Sequence, residues 1–222
     1  MKQLVLFDLD HTLLDGDSNT LWVDFLVSNG LLSAHVLEQQ ARAYDHYRTG
    51  TLDITAYLRF HLGLLASRPC NEWMDWRQRF IDDVAIPLIP TSARATVARH
   101  RQEGATLAMV TATHAFLAEG FGRLFDLPVV ATPVEVNGGR FSGNFIGEPC
   151  FAEGKVDALM RWLLHEHLIP NAFSETWFYS DSFNDLPLLR WVSHPVVVNA
   201  DAGLIAWAGK HGWPMESWRV AD

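Results

Sequence analysis

The chain has 222 residues, of which 49% are hydrophobic and 19% are charged, and its formal net charge is -9. This composition is typical of a globular protein with one good-sized core and a smaller added unit. The acidic balance disfavours nonspecific binding to nucleic acid or anionic membranes, and no apolar run has the length of a signal-peptide core or a membrane span. Since Cys70 and Cys150 fit no metal or disulfide spacing, we expect a reducing, cytoplasmic location.

A buried strand is predicted at residues 3–8, and Asp8 and Asp10 lie where it ends. Ligands of open α/β sheets bind beyond the carboxyl ends of the strands. Two carboxylates one residue apart could serve there as a nucleophile and an acid/base. A lone aspartate at a strand end is more often a turn former or a helix cap, so the pair is the informative feature.

The next part of the chain has the apolar spacing of helices from about residue 18 to residue 85, and Asp17 or Ser18 is suited to cap the first of them. Breaks at residues 28–30, 49–51 and 67–69 divide this part into about four helices. We therefore predict an inserted all-helical domain at residues 15–86, and a core formed by residues 1–14 and 87–222.

Helices and strands then alternate to the end of the chain. This order predicts an α/β fold with a doubly wound, mostly parallel, Rossmann-like sheet. The predicted elements are a helix at 91–102, strands at 106–110 and 129–131, a β-hairpin at 134–145 on an Asn-Gly turn, a helix at 153–167, a strand at 177–180, a helix after Asn184 and a strand at 195–199.

A second acidic cluster, with Asp181 and Asp185, follows the late strand and should converge with Asp8 and Asp10. Four carboxylates in one place repel one another unless a hard cation neutralises them. Oxygen ligands of this kind suit Mg²⁺. The sequence therefore predicts a magnesium site at the carboxyl edge of the sheet.

Four short motifs now stand in order along the chain: Asp8-x-Asp10-x-Thr12, a strand that ends in Thr111, Lys155 after Glu153-Gly154, and Asp181-x-x-Asn184-Asp185. In order and spacing they resemble the four motifs of the haloacid-dehalogenase-like phosphatases. The nearest likeness is to the phosphoserine-phosphatase-like subgroup, whose small helical cap domain the insertion also resembles. The resemblance covers the whole chain.

The resemblance implies a Mg²⁺-dependent phosphatase that acts through an aspartyl-phosphate intermediate. Asp8 would be the nucleophile, and Asp10 would protonate the leaving alcohol and then deprotonate the attacking water. The metal would be held by Asp8, Asp181 and the backbone carbonyl of Asp10, while Asp185 would hold the metal shell or Lys155. The implied phosphate-binding residues are Thr111, Ala112, Lys155 and Asn184.

Two of these residues have plain structural alternatives. Lys155 could be a solvated surface lysine, although a cation at a helix start is disfavoured by the helix dipole. Thr111 could cap the following helix, a role that is compatible with phosphate binding.

The substrate implied is a small phosphorylated metabolite. Asp17 matches the position where phosphoserine phosphatases place an acidic residue on the substrate's amino group, which favours an amino-alcohol phosphate such as phosphoserine or histidinol phosphate. The Ser-Gly-Gly turn of that family is replaced by Thr111-Ala112-Thr113, so a different leaving group could be accommodated. Cap contacts from Arg42, Tyr44 or Arg48 are guesses, since such residues are mostly solvated.

Other functions stay open on the sequence. The same scaffold can host a phosphotransferase, a phosphatase for sugar or other small-metabolite phosphates, or a binding protein without activity. The oligomeric state is also left open.

Overall fold

The computed structural model describes residues 2–48 and 51–220, and the side chains of all of these except residues 47 and 48. Within this part, one parallel sheet has six strands in the order β3-β2-β1-β6-β7-β8, and β4 and β5 form a separate antiparallel pair. The predicted fold class, a mostly parallel α/β sheet, is confirmed. The strands are β1 (Gln3–Phe7), β2 (Thr106–Val110), β3 (Val129–Val130), β4 (Val134–Asn137), β5 (Arg140–Phe145), β6 (Glu175–Ser180), β7 (His194–Val198) and β8 (Met215–Glu216).

The helices follow the predicted order, and the helix and strand at residues 91–102 and 106–110 have the predicted bounds. Of the predicted breaks in the insertion, residues 49 and 50 lie outside the described residues. None of the described helices combines the length and apolar character needed to cross a membrane. The helices are α1 (Ser18–Ser28), α2 (His35–Arg48), α3 (Ile54–Leu65), α4 (Cys70–Phe80), α5 (Thr91–Gln102), α6 (Ala115–Phe125), α7 (Glu153–His165), α8 (Leu186–Trp191) and α9 (Ala202–His211).

Strand β1 lies in the middle of the sheet and is buried on both faces. Val5 and Phe7 pack into one apolar cluster, whereas Leu4 and Leu6 pack into the other. Successive side chains of a strand point to opposite faces, so a strand covered on both sides is a continuous apolar run. This double burial holds the residue that follows β1 in a fixed place.

Aromatic side chains join the helical insertion to the sheet domain. The ring of Trp22 on α1 lies 5.3 Å from that of Phe80 and 6.1 Å from that of Trp73. It also lies 6.2 Å from the ring of Phe116 on α6. Edge-on packing of this kind stabilises by about 1 kcal/mol beyond the area buried, so Trp22 ties α1, α4 and α6 together.

The hairpin differs from its prediction in one detail. Its two turn residues are Gly138 and Gly139, with φ of 57° and 76°, between the paired residues Asn137 and Arg140. A two-residue hairpin turn of this kind needs positive φ at both positions, which glycine adopts without strain. The turn is therefore Gly-Gly, one residue later than the predicted Asn-Gly turn.

Candidate active site

Asp8, Lys155 and Asp185 form one buried, hydrogen-bonded group at the carboxyl edge of the sheet. Asp8 directly follows β1, and its backbone N–H donates to the carbonyl of Tyr179 on β6 at 2.9 Å. The Nζ atom of Lys155 donates to Oδ1 of Asp8 at 2.8 Å and to Oδ2 of Asp185 at 2.7 Å. Lys155 is only 2% exposed, so the alternative that it is a solvated surface lysine is wrong.

The residue before Lys155 must be glycine, because the backbone of Pro149 lies very close to it. A Cβ atom at Gly154 would clash with the backbone carbonyl oxygen of Pro149. The first turn of α7 can therefore lie against the preceding loop only without a side chain at this position. That contact sets the direction from which Lys155 enters the site.

Burial disfavours the ionised forms of three carboxyl groups of the site. Burial raises the pKa of Asp8 to about 7, although Lys155 acts against this. Burial raises the pKa of Asp10 to about 6, and Asp17 adds to the effect. The pKa of Asp181 is raised well above its ordinary value by burial and then by the charge of Asp8. Opposite charge nearby would restore the ionised forms.

A hard divalent cation fits this donor set. Asp8 and Asp181 offer carboxylate oxygens, the charge of Asp8 raises the pKa of Asp181, and Asp10 can offer its carbonyl. Among the described residues, no group of three or more His, Cys, Asp or Glu side chains is arranged as a metal site. The set implied by the family resemblance needs only two side chains and one backbone carbonyl, so it differs from such a group.

Both oxygens of the Asp10 carboxylate are held in place. Oδ1 accepts from the backbone N–H of Ser18 at 2.7 Å. Oδ2 accepts from the hydroxyl of Thr113 at 2.8 Å. The carboxylate therefore has a fixed orientation beside Asp8.

Thr111 and Ala112 follow β2 and line the same cavity as Asp8. The hydroxyl oxygen of Thr111 accepts from the backbone N–H of Thr113 at 3.1 Å. The alternative that Thr111 caps the next helix is wrong, because α6 is capped by His114, whose Nδ1 accepts from Leu117 N. Four residues, 111–114, separate β2 from α6, and Thr111 lines the cavity.

The late acidic cluster is divided between buried and half-buried positions. Asp185 is 2% exposed and accepts from Ser180 Oγ at 2.7 Å as well as from Lys155. Asp181 is buried after β6, close enough for its pKa to respond to Asp8. Asn184 is half-buried in a 3₁₀ turn and does not line the cavity, so the structure does not bring it to the other predicted phosphate ligands.

Residues from the helical segment between β1 and β2 line the same cavity. Asp17 caps α1 by accepting from Thr20 N at 2.7 Å, as predicted, and it also lines the cavity. Tyr57 reaches the cavity from α3, and burial raises the pKa of its hydroxyl, with the charges of Asp17 and Asp10 adding to the rise. The cavity has a volume of about 30 Å³ and is lined by Asp8, Asp10, Asp17, Asn19, Leu52, Ile54, Tyr57, Thr111, Ala112, Thr113, Phe151, Lys155 and Asp185.

Several of these residues carry no clear signal in the sequence. Thr113 lies in a recognisable motif, but its contact with Asp10 is visible only in the structure. Asn19 and Tyr57 lie on helices of the insertion, and the rotation of those helices relative to the sheet is set by packing.

Comparison with known proteins agrees with this architecture. Residues 5–190 match the family described as haloacid dehalogenase-like hydrolase. The chain is 39% identical over 218 residues to the histidinol-phosphatase of Neisseria meningitidis serogroup C (strain 8013), covering 97% of this chain and 98% of that protein.

Solved structures are also similar. A protein of unknown function from Bordetella pertussis Tohama I superposes with a TM-score of 0.92 and 37% identity, covering 97% of this chain and 98% of its own. A substrate-bound phosphoserine phosphatase superposes with a TM-score of 0.70 at 18% identity, covering 98% and 93% of the two chains. At that identity the likeness shows the fold alone.

The fold, the clustered carboxylates and these relatives define a phosphoric monoester hydrolase. The chain belongs to the haloacid dehalogenase-like hydrolases, and its structural neighbours are the phosphoserine phosphatases, as the motifs indicated.

Proposed function

We propose that the protein is a Mg²⁺-dependent phosphatase that hydrolyses a small amine-bearing phosphomonoester through an aspartyl-phosphate on Asp8. The observation that supports this best is the buried contact of Lys155 with both Asp8 and Asp185, beside the fixed carboxylate of Asp10. A residue at the end of a central strand, held by a buried cation, is suited to nucleophilic attack.

The chemistry divides into two steps. An oxygen of Asp8 bonds to phosphorus as the bond to the leaving alcohol breaks, and Asp10 gives that alcohol its proton. Asp10 then takes a proton from water, which attacks the aspartyl-phosphate and releases phosphate. A pKa of about 6 leaves Asp10 able to serve as both acid and base near neutral pH.

The phosphoryl group would be bound by the Thr111 hydroxyl, the amide of Ala112 and Lys155. Asn184 is the weakest of the proposed phosphate ligands, because it lies outside the cavity lining. Mg²⁺ would be held by Asp8, Asp181 and the Asp10 carbonyl, with Asp185 behind them. When bound, the ion supplies positive charge that keeps the nucleophile ionised and lowers its repulsion from the phosphoryl oxygens.

The lining of the cavity favours a leaving group that carries an amine and no carboxylate. Asp17 offers a carboxylate to an ammonium group. Of the described lining residues, Lys155 is the sole cation, and in this proposal it binds the phosphoryl group, which leaves no lining cation for a substrate carboxylate. A substrate carboxylate would therefore meet like charge, which histidinol phosphate avoids and phosphoserine does not.

The suggested cap contacts do not alter this balance. Arg42 is exposed beside Glu38 on α2, and the Tyr44 hydroxyl lies 3.3 Å from Nε2 of His11. The side chain of Arg48 lies outside the described part of the chain.

The test is phosphate release by the purified protein with Mg²⁺ on matched substrates. O-phosphoserine and phosphoethanolamine differ by one carboxylate, so we expect faster turnover of phosphoethanolamine, and faster turnover still of histidinol phosphate. Asp8→Asn should remove all turnover, and Asp17→Asn should slow only the amine-bearing substrates. Faster turnover of O-phosphoserine would contradict the assigned substrate class, and an active Asp8→Asn variant would contradict the mechanism.

A transferase outcome is tested in the same assay. A second alcohol is added in excess, and free phosphate is compared with the phosphorylated alcohol. Because we propose a hydrolase, free phosphate should remain the main product.

A further inference from the structure

Asn19 lies in the catalytic cavity with one half of its amide engaged and the other half without a partner. It is on the first turn of α1, is 4% exposed and lines the cavity next to Asp17. Its Nδ2 donates to the hydroxyl oxygen of Thr113 at 3.3 Å. Its Oδ1 is buried and has no hydrogen-bond partner among the described residues.

The orientation of this amide follows from the protons available. The hydroxyl of Thr113 has a single proton, which it donates to Oδ2 of Asp10 at 2.8 Å. Thr113 can then only accept from its other neighbours, which are Ser18 Oγ at 3.0 Å and Asn19. The nitrogen of the Asn19 amide must therefore face Thr113, and its oxygen must face away from it.

The neighbouring phenol agrees with this orientation. Burial dominates the raised pKa of Tyr57, while hydrogen bonds from Gln40 and Asn19 act to lower it. A bond that lowers a phenol pKa is one in which the amide N–H donates to the phenol oxygen. This direction is the one expected when the nitrogen of Asn19, and not Oδ1, faces the phenol, and Oδ1 has no partner among the described residues.

A buried acceptor without a donor has lost its hydration and gained no hydrogen bond in exchange, a loss that a ligand N–H could recover. Two other residues of the cavity lining supply no donor to Oδ1, since Asp17 is a carboxylate and the hydroxyl of Tyr57 is not its partner. A donor that also carries positive charge would satisfy Oδ1 and Asp17 together. An ammonium group has three N–H donors and no acceptor, so it matches both.

We infer that Asn19 is a specificity-determining residue, whose Oδ1 accepts a hydrogen bond from the ammonium group of the substrate alongside Asp17. This deepens the proposed function, since it rests on an amine-bearing leaving group at the same site. The bond from Asn19 to Thr113 also links amine recognition to the residue that holds Asp10.

The inference is tested by binding in the Asp8→Asn background, where turnover does not interfere. Phosphoethanolamine and propyl phosphate have nearly the same shape, but propyl phosphate has a methyl group in place of the ammonium group. Titration calorimetry with Mg²⁺ gives the ratio of their two dissociation constants. In Asn19→Leu we expect this preference for the amine to fall by about tenfold, which is about 1.4 kcal/mol.

Asn19→Asp is the matched variant, because it keeps an acceptor in the same place and loses the donor to Thr113. It should keep the amine preference. An unchanged ratio in Asn19→Leu, or an equal loss in Asn19→Asp, would overturn the inference. If Asn19→Leu does not fold, as judged by circular dichroism, Asn19→Ser shortens the side chain and provides the same comparison.

The outcomes separate this inference from the proposed function. Hydrolysis of phosphomonoesters by the wild type together with an unchanged binding ratio in Asn19→Leu contradicts the role of Asn19 alone. A wild type that neither binds nor hydrolyses either compound contradicts both.

Discussion

The imidazole rings of His61 and His114 lie 6.3 Å apart, His61 on α3 of the insertion and His114 at the start of α6. Both are at most 2% exposed, and three of their four ring nitrogens have no hydrogen-bond partner among the described residues. Burial lowers the pKa of His114 to about 4, and the charge of Arg77 adds to this. Burial also lowers the pKa of His61 well below its ordinary value, with His114 contributing.

These histidines make the folded state less stable at acid pH. The unfolded chain takes up protons near pH 6.5 while the folded chain does not, so stability is fully present above that pH and is lost as the pH falls toward the folded pKa. Between about pH 7.5 and about pH 5, we expect the unfolding free energy of the wild type to fall by about 2 kcal/mol more than that of His61→Leu. Each pH unit between the unfolded and folded pKa values corresponds to about 1.4 kcal/mol.

Urea denaturation of both proteins at the two pH values measures the difference. The raised pKa of Asp8 acts in the opposite direction in the metal-free protein, because the folded state gains stability when that group is protonated. This contribution is common to both proteins and cancels. Parallel pH profiles for the two proteins would show that His61 does not stay neutral in the folded state.

Replacement of Thr113 by valine should affect substrates according to their leaving groups. The valine cannot donate to Oδ2 of Asp10, so the proposed acid loses its fixed orientation. We expect kcat/KM to fall by about a hundredfold for an alkyl phosphate, whose leaving group needs a proton, within the range of general acid catalysis. For p-nitrophenyl phosphate, whose leaving group departs as the anion, kcat/KM should change by less than about threefold.

Two controls accompany this measurement. Thr113→Ser keeps the hydroxyl and should restore the alkyl phosphate rate. Thr132→Val removes another buried threonine hydroxyl, one that accepts from Cys150 N, and should leave the ratio of the two substrates unchanged. Equal losses on both substrates in Thr113→Val would mean that Thr113 acts only on the structure.

Lys155→Met should destabilise the metal-free protein. The change leaves Asp8 and Asp185 buried without their shared cation. Breaking a buried ion pair from one side costs about 3–5 kcal/mol. We expect this loss in urea denaturation, and Mg²⁺ should recover part of it if the ion binds between the same carboxylates.

The exposed Lys210 on α9 provides the control, since Lys210→Met should change stability by less than about 0.5 kcal/mol. A Lys155→Met protein as stable as the Lys210→Met protein would show that the carboxylates are protonated whether or not the lysine is there. A chelator should stop turnover by the wild type, and added Mg²⁺ should restore it.

Trp22→Ala should be strongly destabilising. The Trp22 ring is 1% exposed and packs against rings from α4 and α6. Truncation of a buried Trp to Ala costs about 3–5 kcal/mol. Met74→Ala on α4, at a position that is 47% exposed, should cost less than about 0.5 kcal/mol in the same denaturation assay. Similar losses for both would contradict the packing of the insertion on the core.

The part of the site that the sequence reveals is the part built on strand ends. Asp8 and Thr111 follow strands β1 and β2, whose apolar runs and bounds are evident, and parallel strands bring their carboxyl ends to one edge. The other part comes from the insertion. Tyr57 reaches the cavity from α3, which packs against β5 of the hairpin so closely that a Cβ atom on Gly143 would lie 3.6 Å from Cα of Gly63. No periodicity in the sequence predicts this contact.

The sequence-based prediction lacks two elements that the structure has after residue 200, helix α9 and strand β8. Helix α9 is capped by Asp201 and ends at Gly212 with φ of 68°, signals that sequence reasoning could have used. Strand β8 has two residues, and it exists because Met215 pairs with Val197 at the edge of the sheet. A strand that short has no pattern of its own and is defined by its neighbour.

The central place of β1 has a consequence for how the protein is made. Its first residues pair with β2 about a hundred positions later, Leu4 with Thr106, and with β6 farther still, Gln3 with Glu175. During synthesis β1 stays exposed and apolar until β2 and β6, the strands that pair with it, have left the ribosome. Long-range pairing of this kind slows folding and leaves partly made chains prone to aggregate. A fragment that ends before β6 would carry Asp8, the proposed nucleophile, without the Tyr179 carbonyl to which its backbone N–H donates, so a nascent chain gains the geometry of Asp8 only after β6 has been made.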